Sequence, residues 1–507
     1  MSQAITIGGP GDGPVLGTQA AEARPGATVS ALLNDAPLSR FHRRAVLVSG
    51  VGFFTDAYDL FVISTVATLV TAQWHLSTAG TSWVTGAALL GAFFGATVFG
   101  RVADRLGRKS VYVTVAIVMI VGALASALAT NFAWLVAARF VLGLGIGGDY
   151  PVSAVLMSEY SNRNDRGRLV GLVFSMQALG LIVGPLVAVV LLSSGISHDL
   201  VWRILLGLGA VPAAGVVYLR TKMPESPRFQ ARVRGHASRA MGELATFSEG
   251  VVTASATAVV DGLHGLRRVS LRGFLSDRAM LRLLLGTSAA WFLFDYAYYG
   301  NTLSLPVILK DVAPHASLIV KLLWTLGIFV VFAVPGYALA VAAMDRIGHR
   351  RLQLIGFSVM AGAFLCLGAI PLLTTVVGLF LAVFGLSYFF VQFGPNVTTF
   401  VLPSEIYPVS MRTTGHGIAA GIGKLGAFIG VFLVPELAKS IGLRAMLLVA
   451  GGSAIVGYLV TLLLPEPARR DLEEVSGEDR EESCLPAPAG VSPIAPTAST
   501  LSVTAPS

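Results

Sequence analysis

Charged residues and cysteines are scarce in this chain, and each shortage excludes a class of protein. Only 13% of the 507 residues are Asp, Glu, Lys or Arg, whereas soluble domains carry about 25%. The 2 cysteines are Cys366, in an apolar stretch, and Cys484, in a polar tail, so we expect no structural disulfide. Metal-spaced sets of His and Cys are missing, as is a nucleotide-binding glycine loop between a strand and a helix. We therefore predict that the protein is not an enzyme and uses no metal or other cofactor.

Apolar residues, in contrast, are abundant. They make up 54% of the chain, and the mean hydropathy is +0.74. A helix needs about 20 apolar residues to cross a bilayer. Runs of this length fall at 44–72, 81–100, 110–129, 132–157, 168–193, 201–221, 282–308, 316–343, 352–372, 374–401, 412–436 and 443–464. We predict an all-α membrane protein in which twelve transmembrane helices form two six-helix bundles.

Basic residues cluster in alternate loops between these runs, for example at Arg105 and Arg108 and again at Arg346 and Arg350. Loops rich in Lys and Arg stay in the cytoplasm, so we expect both termini there, in a multi-pass protein of the cell (plasma) membrane. This arrangement explains the net charge of +8 without a nucleic-acid partner. The predicted regions are a cytoplasmic N-terminal tail (1–40), a first bundle (41–221), a cytoplasmic linker (222–281), a second bundle (282–465) and a disordered cytoplasmic tail (466–507).

Short motifs of the first half recur in the second half at nearly the same spacing. Residues 104–109 (Asp-Arg-Leu-Gly-Arg-Lys) return as residues 345–350 (Asp-Arg-Ile-Gly-His-Arg). The dipeptide Ser-Glu at 158–159 returns at 404–405. Two six-span repeats that face the same way are the architecture of major facilitator transporters.

Two segments resemble signatures of the major facilitator superfamily itself. Residues 100–109 (Gly-Arg-Val-Ala-Asp-Arg-Leu-Gly-Arg-Lys) closely resemble the signature of the loop between its second and third helices. Residues 224–228 (Pro-Glu-Ser-Pro-Arg) resemble the motif that closes the first half in sugar porters and their relatives. These motifs imply the fold but only a broad class of cargo.

A narrower resemblance is carried by residues 148–154 (Gly-Asp-Tyr-Pro-Val-Ser-Ala), which look like the signature of the phosphate:proton symporter family. Segments similar to that family's first, seventh, tenth and eleventh helices are 52–61, 291–301, 393–400, 415–417 and 423–426. The resemblance implies a protein that carries inorganic phosphate together with protons by alternating access and that works as a monomer.

Val115 is a departure from this family, because many members carry a Glu early in the third helix. Any proton route through that acid is absent or rerouted here. The departure keeps two alternatives open. One is the same fold with an organic acid or a sugar as cargo, and the other is a nutrient sensor that binds without appreciable transport.

Lys424 and Asp295 are ionisable residues inside apolar runs, where charge is costly and marks function. Trp291, Asp295 and Tyr299 follow one another at intervals of four and therefore lie on one stripe of a helix. The resemblance places the seventh and eleventh helices around one cavity, which makes Asp295 the partner of the Lys424 ammonium. We expect this pair to open when an oxyanion arrives; the alternative is a permanent structural ion pair.

Further polar residues lie near helix-breaking or mid-helix positions. Tyr150 precedes Pro151, Asn396 follows Gly394-Pro395, and Gln177 lies half-way along the fifth run. From the residues alone, these positions serve helix packing as readily as ligand binding. With the resemblance, the predicted substrate-binding set is Tyr150, Gln177, Trp291, Asp295, Tyr299, Asn396 and Lys424.

Asp56 and Asp59 are three residues apart on the first helix and share a face. Two carboxylates in a low-dielectric site repel each other, so at least one is expected to be neutral, as a proton carrier requires. The alternative is that one of them caps a helix or pairs with Arg139. Which of the two titrates is left open. The predicted proton-coupling set is Asp56, Asp59, Asp149 and Asp295.

Charged residues at the cytoplasmic helix ends of both halves are predicted to form a salt-bridge latch that holds the inner gate closed in one state. The predicted latch residues are Asp104, Arg105, Arg108, Glu159, Arg166, Glu405 and Arg412. His416 has apolar neighbours, and we interpret it as a hydrogen-bonded core residue in preference to a proton relay.

Overall fold

The computed structural model describes residues 21–22, 29–247, 252–253 and 270–478. Eleven helices in these residues are long and apolar enough to cross a membrane. They are Arg40–Trp74, Thr78–Leu106, Arg108–Ala127, Phe132–Tyr160, Arg166–Ser193, His198–Thr221, Leu318–Ile347, His349–Ala369, Val377–Ser404, Arg412–Ile441 and Leu443–Thr461. The helix Arg278–Leu303 lies between the sixth and seventh of these and completes the predicted twelve. We number them in chain order as the first to the twelfth span.

Five spans are interrupted along their length, three of them at a single residue that keeps helical dihedral angles. The helical pieces are Arg40–Phe61 and Ile63–Trp74 in the first span, Arg166–Ser175 and Gln177–Ser193 in the fifth, His198–Leu208 and Ala210–Thr221 in the sixth, Leu318–Ile328, a π-helical turn Phe329–Ala333 and Val334–Ile347 in the eighth, and Val377–Phe393, Pro395–Val401 and a 3-10 turn Leu402–Ser404 in the tenth. The break expected at Gly394-Pro395 is confirmed, because Gly394 has non-helical dihedral angles of φ −116° and ψ −105°.

The fourth span shows the opposite outcome at its glycine-rich segment. Phe132–Tyr160 is one continuous helix with Pro151 inside it. A Cβ at Gly143 or Gly147 would overlap a carbonyl oxygen of the second span, at Ala88 or Ala92. The glycines of this segment therefore allow close packing of two helices, and the helix stays wound through Pro151.

Shorter elements cover the end of the bundle where the chain enters and leaves. They are the helices Val29–Asp35, Pro227–Arg232, Ala237–Phe247, Leu271–Ser276 and Leu472–Ser476, with a two-residue parallel strand pair Ala21–Glu22 and Val252–Thr253. On the opposite end lie Leu305–Val312 and Leu372–Thr375. The linker 222–281 thus contains helices, as expected. The tail prediction for 466–507 was wrong at its start, because Leu472 and Glu473 are buried; residues 479–507 lie outside the described residues.

The two halves meet along the second and eleventh spans through glycine. A Cβ at Gly417 would overlap the carbonyl oxygen of Ala96, so the two backbones lie in direct contact. We call the end of the bundle that carries Arg40, Arg108 and Thr461 the terminal side. The end that carries Trp74 and Ala127 is the far side. Because the number of spans is even, the first span begins and the twelfth span ends on the terminal side.

Candidate functional site

A buried ion pair joins the seventh and eleventh spans near the middle of the molecule. The Nζ atom of Lys424 donates to Oδ2 of Asp295 over 3.0 Å and to the hydroxyl of Tyr299 over 3.1 Å. All three side chains are at most 2% exposed. The helices can approach this closely because Gly426 has no side chain. A Cβ at this position would overlap the carbonyl oxygen of Phe292. The predicted partnership of Lys424 and Asp295 is therefore present in the structure.

Aromatic rings surround the ammonium group of Lys424. Its Nζ atom lies 4.6 Å from the ring centre of Tyr150 and 4.3 Å from that of Tyr299, both suitable for cation–π attraction. The ring of Trp291 lies 6.2 Å from that of Tyr150, which brings the first half of the chain against the second. A positive charge thus lies at the boundary between the two bundles, with hydroxyl groups around it.

A chain of hydrogen bonds connects the remaining predicted residues to this centre. Gln177 Nε2 donates to the Tyr150 hydroxyl over 3.0 Å. The Tyr337 hydroxyl donates to Gln177 Oε1 over 3.4 Å and accepts from Asn396 Nδ2 over 2.7 Å. The structure therefore brings all seven predicted substrate-binding residues into one buried cluster, although their role stays a prediction.

Tyr337 was missed by the sequence analysis, although it connects Gln177 of the first half with Asn396 of the second. It is 2% exposed and lies in the eighth span. The available signal was Pro335-Gly336-Tyr337, a polar ring beside two helix-breaking residues, which repeats the chemistry of Tyr150 beside Pro151. A Cβ at Gly336 would overlap the carbonyl oxygen of Phe389, so this glycine also serves close packing.

Asp149 is engaged in a two-pronged ion pair with Arg220. The Nη1 atom of Arg220 lies 2.8 Å from Oδ1 of Asp149, and its Nη2 atom donates to Oδ2 over 2.8 Å. Ser153 also donates to Oδ1 over 3.2 Å. Arg220 lies at the end of the predicted first bundle and was not singled out from the sequence, yet it is only 1% exposed and belongs to the core. Asp149 is therefore not a free carboxylate in this conformation.

Asp56 and Asp59 are buried without such partners. Both oxygens of each carboxyl group lack a hydrogen-bond partner among the described residues. Arg139 donates to the main-chain carbonyl oxygen of Asp59 over 2.7 Å and not to its side chain. The alternative in which Arg139 pairs with one of these carboxylates is therefore not what the structure shows.

Val115 is the position at which the sequence departs from the family. It is fully buried, and a Cβ at Gly148 would lie only 2.5 Å from its Cγ1 atom. The position where the family often carries a Glu thus packs against the residue before Asp149. An apolar side chain at this point adds no carboxylate of its own next to the Asp149–Arg220 pair.

A network of buried charges closes the terminal side across both halves. Arg108 lies 3.1 Å from Asp104 and 3.3 Å from Glu159, and it also donates to the carbonyl oxygen of Val409 in the other half over 2.8 Å. Glu159 in turn lies 3.4 Å from Arg412. In the second copy of the motif, a single contact corresponds to this network, in which His349 lies 3.2 Å from Glu405. His349 was not among the predicted latch residues, although it occupies the repeat position of Arg108 and the repeat was the available signal for it.

Two predicted latch residues are placed differently from the prediction. Arg105 is exposed and makes no ion pair within the described part of the chain. Arg166 is buried, but it donates to the carbonyl oxygen of Arg470 over 3.0 Å and to Oδ1 of Asn34 over 3.3 Å, not to an acid. Their positions at helix ends were right, and the chemistry of their partners was wrong.

Residues 470–478, which we call the strap, add further acidic groups to this network. Glu473 lies 3.2 Å from Arg228 of the linker. Glu478 lies 3.6 Å from Arg232 of the linker and 3.8 Å from Arg412 of the second half, so it joins these two regions. Burial alone would raise the pKa of Glu473, but the guanidinium groups of Arg228, Arg232 and Arg412 outweigh burial and hold that pKa well below its usual range.

Comparison with known proteins identifies the fold and its relatives. Residues 45–478 match the model of a family described as sugar (and other) transporter. The chain is 37% identical to the putative inorganic phosphate transporter 1-13 of Oryza sativa subsp. japonica, over 89% of this chain and 94% of that protein. It is 36% identical to the low affinity inorganic phosphate transporter 4 of Petunia hybrida, over 89% and 94% of the two chains.

Among solved structures, the chain resembles the major facilitator superfamily proton:xylose symporter XylE bound to 6-bromo-6-deoxy-D-glucose. The TM-score is 0.74 at 21% sequence identity, and the match covers 87% of this chain and 99% of that one. An identity this low establishes a shared fold and no more. The all-α architecture of two six-helix bundles is therefore that of the major facilitator superfamily.

Proposed function

Because this chain belongs to the sugar (and other) transporter family of the major facilitator superfamily, we propose that it carries inorganic phosphate across the plasma membrane together with protons. The two relatives described above, at 37% and 36% identity, are named as inorganic phosphate transporters. The observation that carries the proposal is the buried Lys424 ammonium at the boundary of the two halves, ringed by donors from both. A cation in such a place suits a small oxyanion.

The anion-binding step exchanges one partner of Lys424 for another. In the structure, the Lys424 ammonium group donates hydrogen bonds to Asp295 and Tyr299. An incoming phosphate competes with Asp295, and the hydroxyls of Tyr150 and Tyr299, the indole of Trp291 and the amides of Gln177 and Asn396 are available as donors to its oxygens. Loss of its cation leaves Asp295 as an unpaired buried carboxylate, which is strongly unfavourable. Protonation of Asp295 removes that cost, so anion binding and proton binding favour each other.

Asp56 and Asp59 supply the second part of the proton route. Their carboxyl groups are buried and lack a partner among the described residues, and a group in such a position is stabilised by carrying a proton. Asp149 takes part only when its ion pair with Arg220 opens. In this proposal the first span holds the proton, and the fourth span responds to it.

Alternating access follows from rocking of the two halves about this site. The terminal side is held shut by the network around Glu159 and by the strap. We assign the terminal side to the cytoplasm, because its loops carry the excess of Lys and Arg. The state described here is then closed toward the cytoplasm, and one chain is sufficient to form the site.

Uptake into proteoliposomes tests the proposal directly. With labelled phosphate outside and an inward proton gradient, we expect accumulation that a protonophore abolishes. Lys424→Ala should reduce the uptake rate at least tenfold, whereas Lys439→Ala, an exposed lysine on the same span, should leave it unchanged. Asp295→Asn should lose gradient-driven accumulation. No accumulation by the wild type, or normal accumulation by Asp295→Asn, contradicts the proposal.

A second cargo class calls for a direct comparison, because the matched family includes sugar transporters. A neutral sugar does not compete for the Lys424 ammonium as an oxyanion does. Competition assays separate the cases: arsenate, an isostere of phosphate, should inhibit uptake, and hexoses or carboxylates in the same excess should not. Inhibition by a carboxylate but not by arsenate would favour an organic acid.

A further inference from the structure

Lys321 is a buried lysine on the far side that the proposed site does not use. It lies in the first turn of the eighth span and is only 9% exposed. Its ammonium group has no hydrogen-bond or ion-pair partner among the described residues. The N-terminus of the same helix lies at this end and adds a partial positive charge. The Nζ atom is not among the buried atoms that lack a partner, so the apolar stem of Lys321 is buried while its charged end reaches solvent on the far side.

The place of Lys321 is at the boundary between the two halves. The helix Leu318–Ile328 packs against Gln177–Ser193 of the fifth span, which belongs to the first half. Thr325, one turn further in on the same face as Lys321, lines a small cavity with Ser64 of the first span and Thr302 of the seventh. This cavity of about 10 Å³ has room for a single water. Lys321 thus lies one helical turn outside a residue that lines a space between the two halves.

One aromatic layer separates this cavity from the buried ion pair. Phe61 lines the cavity, and its ring is stacked on that of Tyr299 at 5.4 Å with an angle of 12°. The hydroxyl of the same Tyr299 contacts Lys424. A ligand that passes Phe61 from the cavity therefore arrives at the Lys424 ammonium.

We propose that Lys321 is an outer anion site, the first charge that an incoming oxyanion meets on its way to Lys424. The inference rests on the proposed phosphate transport and adds a residue and a direction to it. Lys321 raises the local concentration of anion at the outer mouth, and the anion moves inward when Phe61 leaves Tyr299. A lysine that acts in this way affects capture of the anion and not the turnover of the loaded carrier.

Initial rates of labelled-phosphate uptake, measured against phosphate concentration at low and high ionic strength, test this role. At low ionic strength Lys321→Gln should raise KM roughly fourfold, the Coulomb factor for a divalent anion about 10 Å from a unit charge in water. Vmax should stay within about twofold, and the difference in KM should shrink at high salt. Lys321→Arg, which keeps the charge, should resemble the wild type.

Lys310→Gln is the matched control, because Lys310 is an exposed lysine on the same side in the preceding helix. An equal rise in KM for Lys310→Gln would show general surface charge and overturn the specific site. An unchanged KM in Lys321→Gln, with normal Vmax, overturns it as well. A shift seen only in vesicles with anionic lipid would assign Lys321 to a lipid phosphate instead. If the wild type itself accumulates no phosphate, the proposed function fails first.

Discussion

The two ends of the molecule are closed by different chemistry. On the terminal side, buried charges from both halves meet: Glu159 lies between Arg108 and Arg412, and the strap adds Glu473 and Glu478. On the far side, the described residues contain no ion pair between the halves. Aromatic rings meet there instead, Phe61 with Tyr299 and Trp83 with Phe428 and Phe432, beside one long hydrogen bond from Ser82 to the carbonyl oxygen of Val431.

The difference concerns how each gate opens. Removal of one charge from a buried network leaves the others unpaired, so the network holds or fails as a unit. The energy of an aromatic contact decreases gradually as the two rings move apart. Between the central ion pair and the terminal side there is also a layer of rings, where Phe400 lies 4.9 Å from Phe53 and 4.5 Å from Phe174. The barrier is therefore thick on the terminal side and thin on the far side.

The largest effect is expected from Glu159→Gln. The substitution leaves the buried guanidinium groups of Arg108 and Arg412 without their shared acid, which costs about 3–5 kcal/mol in buried pairs. We expect the terminal side to open. Spin labels on Arg168→Cys and Arg346→Cys, exposed at the ends of the fifth and eighth spans, would report longer distances by pulsed electron spin resonance. The background should lack both native cysteines, Cys366 and Cys484.

Glu474→Gln is the control for this prediction. Glu474 also pairs with an arginine, Arg470, over 2.6 Å, but both side chains are about half exposed. A pair in that position contributes little, so the label distances should not change. Equal effects of the two substitutions would remove the distinction between the buried network and the surface.

A smaller effect with a defined pH dependence is expected from the strap. The pKa of Glu473 is held below its unfolded value, so its carboxylate stabilises the fold above about pH 4.5, and this contribution is lost as the pH falls through the folded pKa. Glu473→Gln should lower Tm by a similar amount between about pH 8 and pH 5, and the gap to the wild type should close in stronger acid.

Glu478 provides the opposite sign within the same strap. Burial raises the pKa of Glu478 despite the nearby guanidinium groups of Arg412 and Arg232. Its negative charge therefore destabilises the fold at neutral pH, and this destabilisation is lost as the pH falls through the folded pKa. Glu478→Gln should not lower Tm at neutral pH. A loss as large as that in Glu473→Gln would mean that the two acids act alike.

The far side should respond less strongly, through Phe61→Ala. Loss of the stacked ring removes about 0.5–1.5 kcal/mol of closure. Ser64→Cys, in a background without other cysteines, should then react several-fold faster with a water-soluble maleimide. Phe94→Ala, which removes an exposed ring from the second span, is the control and should leave the rate unchanged. An equal rate in both variants would mean that Phe61 does not close the path.

Features that depend on residues close together in the sequence could be predicted, whereas contacts between residues far apart in the sequence could not. Trp291, Asp295 and Tyr299 share a stripe because helix period alone decides it, and hydropathy located the spans to within a few residues. The partner of Asp149 was missed because Arg220 is separated from it by 71 residues and resembles the linker bases that follow it. Pairing across helices depends on packing that one sequence does not display.

The strap shows the same limit from another direction. Residues 470–478 are charged and precede a tail rich in Pro, Ala, Ser and Thr, a composition typical of disorder. They are ordered because four arginines on the terminal side, Arg166, Arg228, Arg232 and Arg412, offer partners to their acids and carbonyl groups. Composition measures what a segment buries by itself and not what the rest of the fold offers it.

The smallest effect is expected from Ser82→Ala. Its hydroxyl donates over 3.4 Å to the carbonyl oxygen of Val431, a length at which a hydrogen bond is weak. Since the second and eleventh spans already pack through glycine at Gly417, the change should alter closure by at most about 0.5 kcal/mol. Labelling of Ser64→Cys should therefore proceed at the unsubstituted rate. A rate as high as in Phe61→Ala would mean that polar contacts, and not the aromatic stack, hold the far side shut.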